Sequence, residues 1–148
     1  MIKAIYFDMD GTIADLYSVE GWLDYLSAEK TTPYKEAKPL VDMRIFGKML
    51  NLLQAQGWKI GIISWVSKTG SNDYKREVAE AKKEWLFRHL DSVRFDEIKI
   101  ADYGTPKQEL ADHPSGILFD DELKNRENWI GQAYDVNNIF EILGALVM

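Results

Sequence analysis

The sequence predicts an α/β fold with a mainly parallel sheet and helices on both of its faces. Short apolar runs rich in β-branched residues alternate along the chain with longer segments whose apolar residues recur at helical spacing. The apolar runs are nearly continuous, which is typical of strands that are covered on both faces. With 148 residues and no repeat or linker, residues 1–148 are expected to form one domain.

Five apolar runs have the length and composition of strands, and polar residues follow several of them. The predicted strands are residues 2–7, 58–65, 97–101, 116–119 and 133–136. Asp8 follows the first strand, Ser64 lies at the end of the second, and Asp120 and Asp121 follow the fourth. Because ligands bind at the carboxyl ends of strands in open α/β sheets, we expect these polar side chains to share one site.

Helical spacing of apolar residues predicts helices between these strands. They cover residues 17–29, 40–53 with closure at Gly57, 74–89 and 138–146. A further helix is expected to start at Thr105 as N-cap, with Pro106 in the first position and Gln108 completing a capping box. Residues 30–41, which contain two prolines, are expected to be irregular.

Composition and charge narrow the function classes. The formal net charge is −6, and an acidic chain is a poor match for a nucleic-acid polymer as main partner. The absence of cysteine excludes disulfides, thiolate catalysis and cysteine-type zinc sites. The N-terminal sequence lacks the long apolar core of a signal peptide, and no apolar run approaches membrane-spanning length. We therefore expect a cytoplasmic protein without a membrane partner.

Asp8 and Asp10 are the candidate catalytic residues. A carboxylate at the end of a buried strand can attack phosphorus and form an acyl-phosphate. A second carboxylate beside it can protonate the leaving group and then activate water. Gly11 lets the chain turn sharply away from the strand. The same residues also fit a purely structural interpretation, in which Asp8 caps a strand and Asp10-Gly11 forms a turn.

Asp120, Asp121, Lys107 and Ser64 are candidate binding residues. Adjacent acids at a strand end repel each other unless a cation lies there, and oxygen ligands suit Mg²⁺; alternatively, they form a solvated helix N-terminus. Lys107 near a helix start opposes the helix dipole, and an anion bound there would remove the conflict. Ser64 could donate a hydrogen bond to a phosphate oxygen, although serines after strands commonly only start turns.

These residues occur in a recognisable order. Asp-Met-Asp-Gly-Thr at 8–12, Ile-Ile-Ser at 62–64, Lys107 and Leu-Phe-Asp-Asp at 118–121 resemble the four motifs of the haloacid dehalogenase superfamily of phosphotransferases. The resemblance implies a Mg²⁺-dependent phosphatase that forms an aspartyl-phosphate on Asp8. It also implies a Rossmann-like sheet in which the strands ending at Asp8 and Asp120 are adjacent.

The resemblance also implies a role for each motif residue. Asp8 would be the nucleophile and Asp10 the general acid–base. Thr12 would order the loop and belong to the phosphate-binding set, which is Thr12, Ser64 and Lys107. Mg²⁺ would be held by Asp8, the backbone carbonyl of Asp10, Asp120 and, directly or through a neighbour, Asp121.

The resemblance further implies a small cap and a small substrate. Many members carry a large cap domain, but the span between the first two motifs is short here, so a minimal cap over residues 16–40 is expected, with a site that is open or closed by a second subunit. Lys83-Glu84-Trp85-Leu86 with His89-Leu90, and Phe119-Asp120-Asp121 followed by Asn125, are similar to the 5′(3′)-deoxyribonucleotidase branch. The expected substrate is therefore a small phosphorylated metabolite, with a (deoxy)nucleoside monophosphate as first choice, although the short cap departs from that branch.

Some interpretations stay open at this point. Tyr17, Trp22, Tyr25 and Tyr34 in the cap segment could stack on a nucleobase, or they could simply pack on the core. Lys82 and Lys83, near Glu80 and Glu84, are expected on a solvated helix face. The alternative functions are a receiver-like phospho-acceptor domain and a catalytically silent phosphate-binding relative. A receiver carries its acid pair on the first strand, whereas here the adjacent pair comes after the lysine.

Overall fold

The strands of the protein form one main sheet and one small ribbon. The computed structural model describes residues 2–148. Within this range the strands are β1 (Ala4–Phe7), β2 (Ala14–Asp15), β3 (Lys38–Pro39), β4 (Lys59–Trp65), β5 (Glu97–Ala101), β6 (Ile117–Phe119) and β7 (Ala133–Tyr134). Five of them make a parallel sheet in the order β5-β4-β1-β6-β7, while β2 and β3 pair antiparallel.

Helices connect the strands of the sheet. In the described residues they are α1 (Trp22–Ser27), α2 (Thr32–Glu36), α3 (Met43–Ala55), α4 (Asn72–His89), α5 (Lys107–Leu110), α6 (Leu123–Asn128) and α7 (Ile139–Val147). Single 3-10 turns occur at Leu16–Ser18 and Val136–Asn138. None of the helices formed by residues 2–148 is long and apolar enough to cross a membrane.

The predicted fold class is confirmed: the sheet is parallel and Rossmann-like. Numbered along the sheet's own strands, its order is 3-2-1-4-5, which is the doubly wound Rossmann order and differs from the 2-1-3-4-5 order of receiver-type folds. The chain runs from β1 to β4 and β5 on one side of β1, and it then crosses over to β6 and β7 on the other side. A crevice therefore opens at the carboxyl ends of β1 and β6, where ligands bind in such sheets.

Helical layers cover the two faces of the sheet unequally. Alternate residues of β1 point to opposite faces, so Ile5 and Phe7 join the larger core cluster with residues of α3, α4 and α7. Ala4 and Tyr6 face a smaller cluster on the other side, which Ala111 and Trp129 complete beyond the ends of α5 and α6. All four residues of β1 are buried, as expected of a central strand.

The longer predicted helices are confirmed, and side-chain caps define where they begin. The Asp42 side chain accepts hydrogen bonds from the amides of Arg44 (3.0 Å) and Ile45 (3.2 Å) at the start of α3. The chain leaves α3 through Gly57, which has a φ of +93°. Ser71 accepts a bond from the amide of Tyr74 (3.1 Å) and caps α4.

The predictions for residues 16–41 are partly wrong. A continuous helix over 17–29 does not form: after the 3-10 turn, Gly21 at a φ of +74° separates that turn from α1. The stretch predicted to be irregular contains α2 and β3. Pro33 is compatible with α2 because it lies in the first turn, where a missing N–H removes no helical hydrogen bond.

The predicted start of the helix at Thr105 is also wrong. Pro106 occupies the N-cap position and α5 begins at Lys107. The Thr105 hydroxyl donates to the carbonyl of Asp102 (2.8 Å) instead of capping the helix. The helix is only four residues long, and its first residue is the lysine of the candidate site.

Candidate active site

The sheet brings the predicted site residues to one edge. Phe7 of β1 pairs with Phe119 of β6, and the Asp8 amide donates to the Phe119 carbonyl (3.0 Å), so Asp8 and Asp120 follow adjacent strands. The implied adjacency of these two strands is confirmed. Ser64 lies near the end of β4, the neighbour of β1 on its other side. The catalytic and binding roles of these residues stay predictions.

A tight turn after β1 lets the acids approach each other. The Met9 carbonyl accepts hydrogen bonds from the amides of residues 12–14, each at 3.0 Å. Gly11 has a φ of +80°, which favours glycine, and a Cβ there would collide with Oδ2 of Asp121. The glycine therefore serves both the turn and the close packing of Asp121 on it.

The Thr12 side chain forms a hydrogen bond with the Asp8 carboxylate. Its hydroxyl donates to Oδ2 of Asp8 (3.2 Å), and both side chains are buried. The contact agrees with the loop-ordering part of the prediction for Thr12. The hydroxyl of Thr12 thus contacts the candidate nucleophile, and its predicted part in phosphate binding stays a prediction.

Three acids form a compact cluster. Asp8, Asp120 and Asp121 each offer a carboxylate oxygen, and these oxygens lie within 4.8 Å of one another. Burial, reinforced by the charge of Asp8, raises the pKa of Asp120 to about 6 and that of Asp121 to about 8. Asp120 is further fixed by hydrogen bonds from the amide of Glu122 (2.9 Å) and the side chain of Asn125 (3.2 Å). Neither of these two partners was predicted for the site.

Lys107 joins two of these acids. Its ammonium group donates to Oδ1 of Asp8 (2.8 Å) and to Oδ2 of Asp120 (2.6 Å), and the side chain is 3% exposed. Burial alone would lower the pKa of Lys107, but the carboxylates of Asp8 and Asp120 outweigh it and raise that pKa. Two of its three N–H donors are engaged by these acids, so one is left for a ligand. Its side chain also lines a cavity above the acids.

Lys82 contradicts the prediction of a solvated helix face. It is 1% exposed, and its ammonium group donates to Oδ2 of Asp10 (2.7 Å), Oγ of Ser64 (2.7 Å) and the carbonyl of Trp65 (2.6 Å). Position 82 lies four residues after Val78 and three before Trp85, so it falls on the buried stripe of α4. That spacing was the signal available in the sequence; its neighbour Lys83 is exposed as expected.

With all of its carboxyl groups ionised, the site carries an excess of negative charge. Four carboxylates (Asp8, Asp10, Asp120 and Asp121) face two ammonium groups, those of Lys82 and Lys107. Burial raises the pKa of Asp10, and the charge of Lys82 offsets part of that effect. A divalent cation would neutralise the excess, and a donor set made only of carboxylate oxygens suits Mg²⁺. The residues present therefore fit this metal.

A cavity of about 390 Å³ opens above these residues. Asp8, Asp10, Ser64 and Lys107 lie among its polar lining. Its apolar wall combines the segment 16–34 with the loops after β4 and β5, namely Leu16, Tyr17, Trp22, Leu23, Leu26, Tyr34, Trp65, Val66 and Tyr103. The volume lies at the lower end of the range for small-molecule sites.

The aromatic side chains of the cavity differ in how exposed they are and in how firmly their contacts hold them. Tyr34 is 5% exposed and packs with Val78 of α4, which agrees with its core interpretation. Tyr17 is 48% exposed, and its ring meets that of Trp22 edge-on at 5.2 Å. The Trp65 indole is fixed by a bond to the Thr105 carbonyl (2.8 Å). Tyr17 and Trp22 can therefore contact a ligand, whereas Tyr34 mainly supports them.

The raised pKa of Asp121 has a consequence for stability. An acid whose pKa is about 8 in the folded state, against an ordinary value of 3.8, keeps its proton in the fold between these values. The folded state then binds more protons than the unfolded state, so the free energy of unfolding falls as pH rises from about 4 to about 8. In metal-free buffer, we expect Asp121→Asn to remove this decline and to gain roughly 5 °C in Tm over wild type between about pH 5 and pH 8. Thermal melts in EDTA measure it, and parallel curves for both proteins would contradict it.

Comparisons with known proteins concern the fold. No protein-family model matches the sequence, and no curated protein matches it. Among solved structures, the D,D-heptose 1,7-bisphosphate phosphatase from Burkholderia Thailandensis is similar, with a TM-score of 0.51 and 15% sequence identity over 84% of this chain and 70% of that one. The likeness supports no particular branch of phosphatases. The chain therefore shares the fold of this phosphatase.

Proposed function

We propose that the protein is a Mg²⁺-dependent phosphomonoesterase that works through an aspartyl-phosphate on Asp8. The observation that carries the proposal is the position of Asp8, which belongs both to the cavity lining and to the acid cluster and is bonded to Lys107. A carboxylate so placed can meet a phosphate ester from the cavity while the cationic groups beside it balance charge. The structural neighbour is itself a phosphatase, which supports the choice of phosphoryl transfer.

In the first step, an Asp8 oxygen attacks phosphorus as the bond from phosphorus to the leaving oxygen breaks. Asp10 gives its proton to that oxygen, so the alcohol leaves neutral. In the second step, Asp10 takes a proton from water, the water oxygen bonds to phosphorus, and the bond to Asp8 breaks. Phosphate leaves, and Asp8 and Asp10 return to their starting states.

The remaining residues of the site would neutralise the charge of the phosphoryl group and orient it. Asp8, Asp120, Asp121 and the Asp10 carbonyl are the groups that would hold Mg²⁺, which when bound supplies positive charge against the phosphoryl oxygens. Lys107 has one N–H donor left for a phosphoryl oxygen, and the Ser64 hydroxyl faces the same cavity. Both would strengthen their bonds as negative charge builds up on these oxygens.

The cavity favours a small phosphate ester with a flat or apolar leaving group. Beyond the polar residues near Asp8, its wall is mostly aromatic and aliphatic. A (deoxy)nucleoside monophosphate fits this description, because its base can stack between side chains such as Tyr17 and Trp65 while its phosphate meets Lys107.

A panel of phosphate esters tests the proposal. The purified chain is incubated with nucleoside 5′- and 3′-monophosphates, sugar mono- and bisphosphates and phosphoamino acids, in millimolar Mg²⁺ or in EDTA, and released phosphate is measured. We expect turnover of at least one ester in Mg²⁺, with nucleoside monophosphates as the best class, and none in EDTA.

Three outcomes would count against the proposal. Turnover that is equal in Mg²⁺ and EDTA would remove the metal from the reaction. No release from any ester would contradict the activity itself. Labelling by acetyl phosphate that stops at one phosphoryl group per chain, without turnover, would instead favour a phospho-acceptor domain.

A further inference from the structure

We propose that Lys82 is a positioning residue that holds the Asp10 carboxylate and the Ser64 hydroxyl in their working orientations. The inference rests on the proposed phosphatase function and goes beyond it, since it adds a residue of α4 to the machinery. The three acceptors of Lys82 belong to the loop after β1 (Asp10) and to the end of β4 (Ser64 and Trp65). One buried ammonium group thus links two separate strand ends.

The donor count of Lys82 indicates that it acts through other residues. An ammonium group has three N–H donors, and the contacts to Asp10, Ser64 and Trp65 use all three at 2.6–2.7 Å. No donor is left for a substrate oxygen. Lys107 differs because it donates to only two protein acceptors, Asp8 and Asp120, and because it lines the cavity. One of its donors is therefore left for a substrate oxygen.

The contact with Asp10 fixes which oxygen can do chemistry. Lys82 bonds to Oδ2, and Asp10 lines the cavity, so Oδ1 is the atom left to exchange a proton with the substrate. A carboxylate without this anchor could rotate or turn toward the other acids of the site. General acid catalysis requires the donor to be within hydrogen-bond reach of the leaving oxygen. Loss of the Asp10 orientation would therefore slow proton transfer to the leaving group.

The contact with Ser64 fixes the direction of its proton. Because Oγ accepts a bond from Lys82, the hydroxyl hydrogen must point elsewhere, and Ser64 lines the cavity at 1% exposure. The hydroxyl can then donate to a phosphoryl oxygen. Burying an ammonium group on the apolar stripe of a helix carries a desolvation cost. The three bonds of Lys82 offset that cost, and they converge on the cavity edge.

The test compares Lys82→Met with Lys83→Met, its exposed neighbour on α4, using full-length protein and Mg²⁺. The value of kcat/KM is measured for the best alkyl ester of the panel, whose alcohol needs a proton to leave, and for p-nitrophenyl phosphate, whose phenolate does not. We expect Lys82→Met to lower the ratio of the alkyl to the aryl value at least about tenfold, as Asp10→Asn does, and Lys83→Met to leave it unchanged. A purely structural loss would lower both values together and leave the ratio constant.

A double variant keeps the test decisive if Lys82→Met alone fails to fold. Asp10→Asn with Lys82→Met buries no unpaired charge, and we expect its ratio to match that of Asp10→Asn within about threefold. A ratio unchanged in Lys82→Met, or a further large fall in the double variant, would overturn the positioning role. In both cases an active wild type leaves the phosphatase proposal standing, whereas an inactive wild type would overturn both.

Discussion

Replacing Asp8 with asparagine should lower kcat by at least about 10³-fold while the protein stays folded. The amide has the size of the carboxylate but cannot act as the nucleophile, so no aspartyl-phosphate can form. The stability cost should be small. Asp8 shares a crowded cluster with Asp120 and Asp121, and Lys107 keeps Asp120 as a partner after the change. The loss of the Asp8 charge removes its attraction to Lys107, but it also removes its repulsion of Asp120 and Asp121, so the two effects offset each other.

Two measurements together check this prediction. Steady-state release of phosphate gives kcat, and acid quenching with a ³²P-labelled ester shows whether the chain carries a phosphoryl group. Wild type should be labelled transiently, and Asp8→Asn should not. Asp24→Asn, a change in α1 away from the acid cluster, serves as control and should behave as wild type. Undiminished turnover in Asp8→Asn would exclude Asp8 as the nucleophile.

Replacing Lys107 with methionine should destabilise the metal-free protein by about 3–5 kcal/mol. The change leaves Asp8 and Asp120 buried without the ammonium group that joins them at 2.8 and 2.6 Å. For a chain of this size, such a loss corresponds to a fall in Tm of roughly 10 °C or more. Mg²⁺ should recover part of it, because a divalent cation among the same carboxylates replaces the lost charge. Turnover should also fall, since a phosphate-binding cation is missing.

Thermal melts with and without Mg²⁺ measure both effects. Lys99→Met is a suitable control because Lys99 forms a looser ion pair with Asp112, at 3.5 Å, and both side chains are substantially exposed. Its removal should change stability by less than about 1 kcal/mol. Equal melting temperatures for the two variants, or a Mg²⁺-induced rise no larger in Lys107→Met than in wild type, would contradict the role given to Lys107.

Much of the sheet and the content of its carboxyl edge could be predicted from local sequence. Strands such as 116–119 are short, continuous and apolar, and a buried strand of this kind needs no distant information to be recognised. The acids that end β1 and β6 then meet because parallel strands share one edge. These two strands are neighbours because the strand order of the sheet places β6 beside β1. The crossover rules of doubly wound sheets explain that order.

The remaining features depend on tertiary contacts. Lys82 has the chemistry of a surface residue, and its burial is stabilised by acceptors that lie 72 and 18 positions away in the chain, Asp10 and Ser64. The short helix α2 is too brief to show a helical period, and it is supported by the packing of Tyr34 on α4. Thr105 met every local criterion for an N-cap, yet its hydroxyl donates a hydrogen bond to the carbonyl of Asp102 in the preceding turn.

The antiparallel ribbon of β2 and β3 makes the segment between them a replaceable module. Ala14 pairs with Pro39 and Asp15 with Lys38, so the segment between the two strands begins and ends at the same place. The closure of the intervening loop is therefore already made by the ribbon, and its length can change at little entropic cost to the sheet. Grafting a different segment at this point would exchange the part of the cavity wall that residues 16–34 supply, while the acids and lysines beneath it stay in place, provided the graft covers Tyr74 and Val78 on α4.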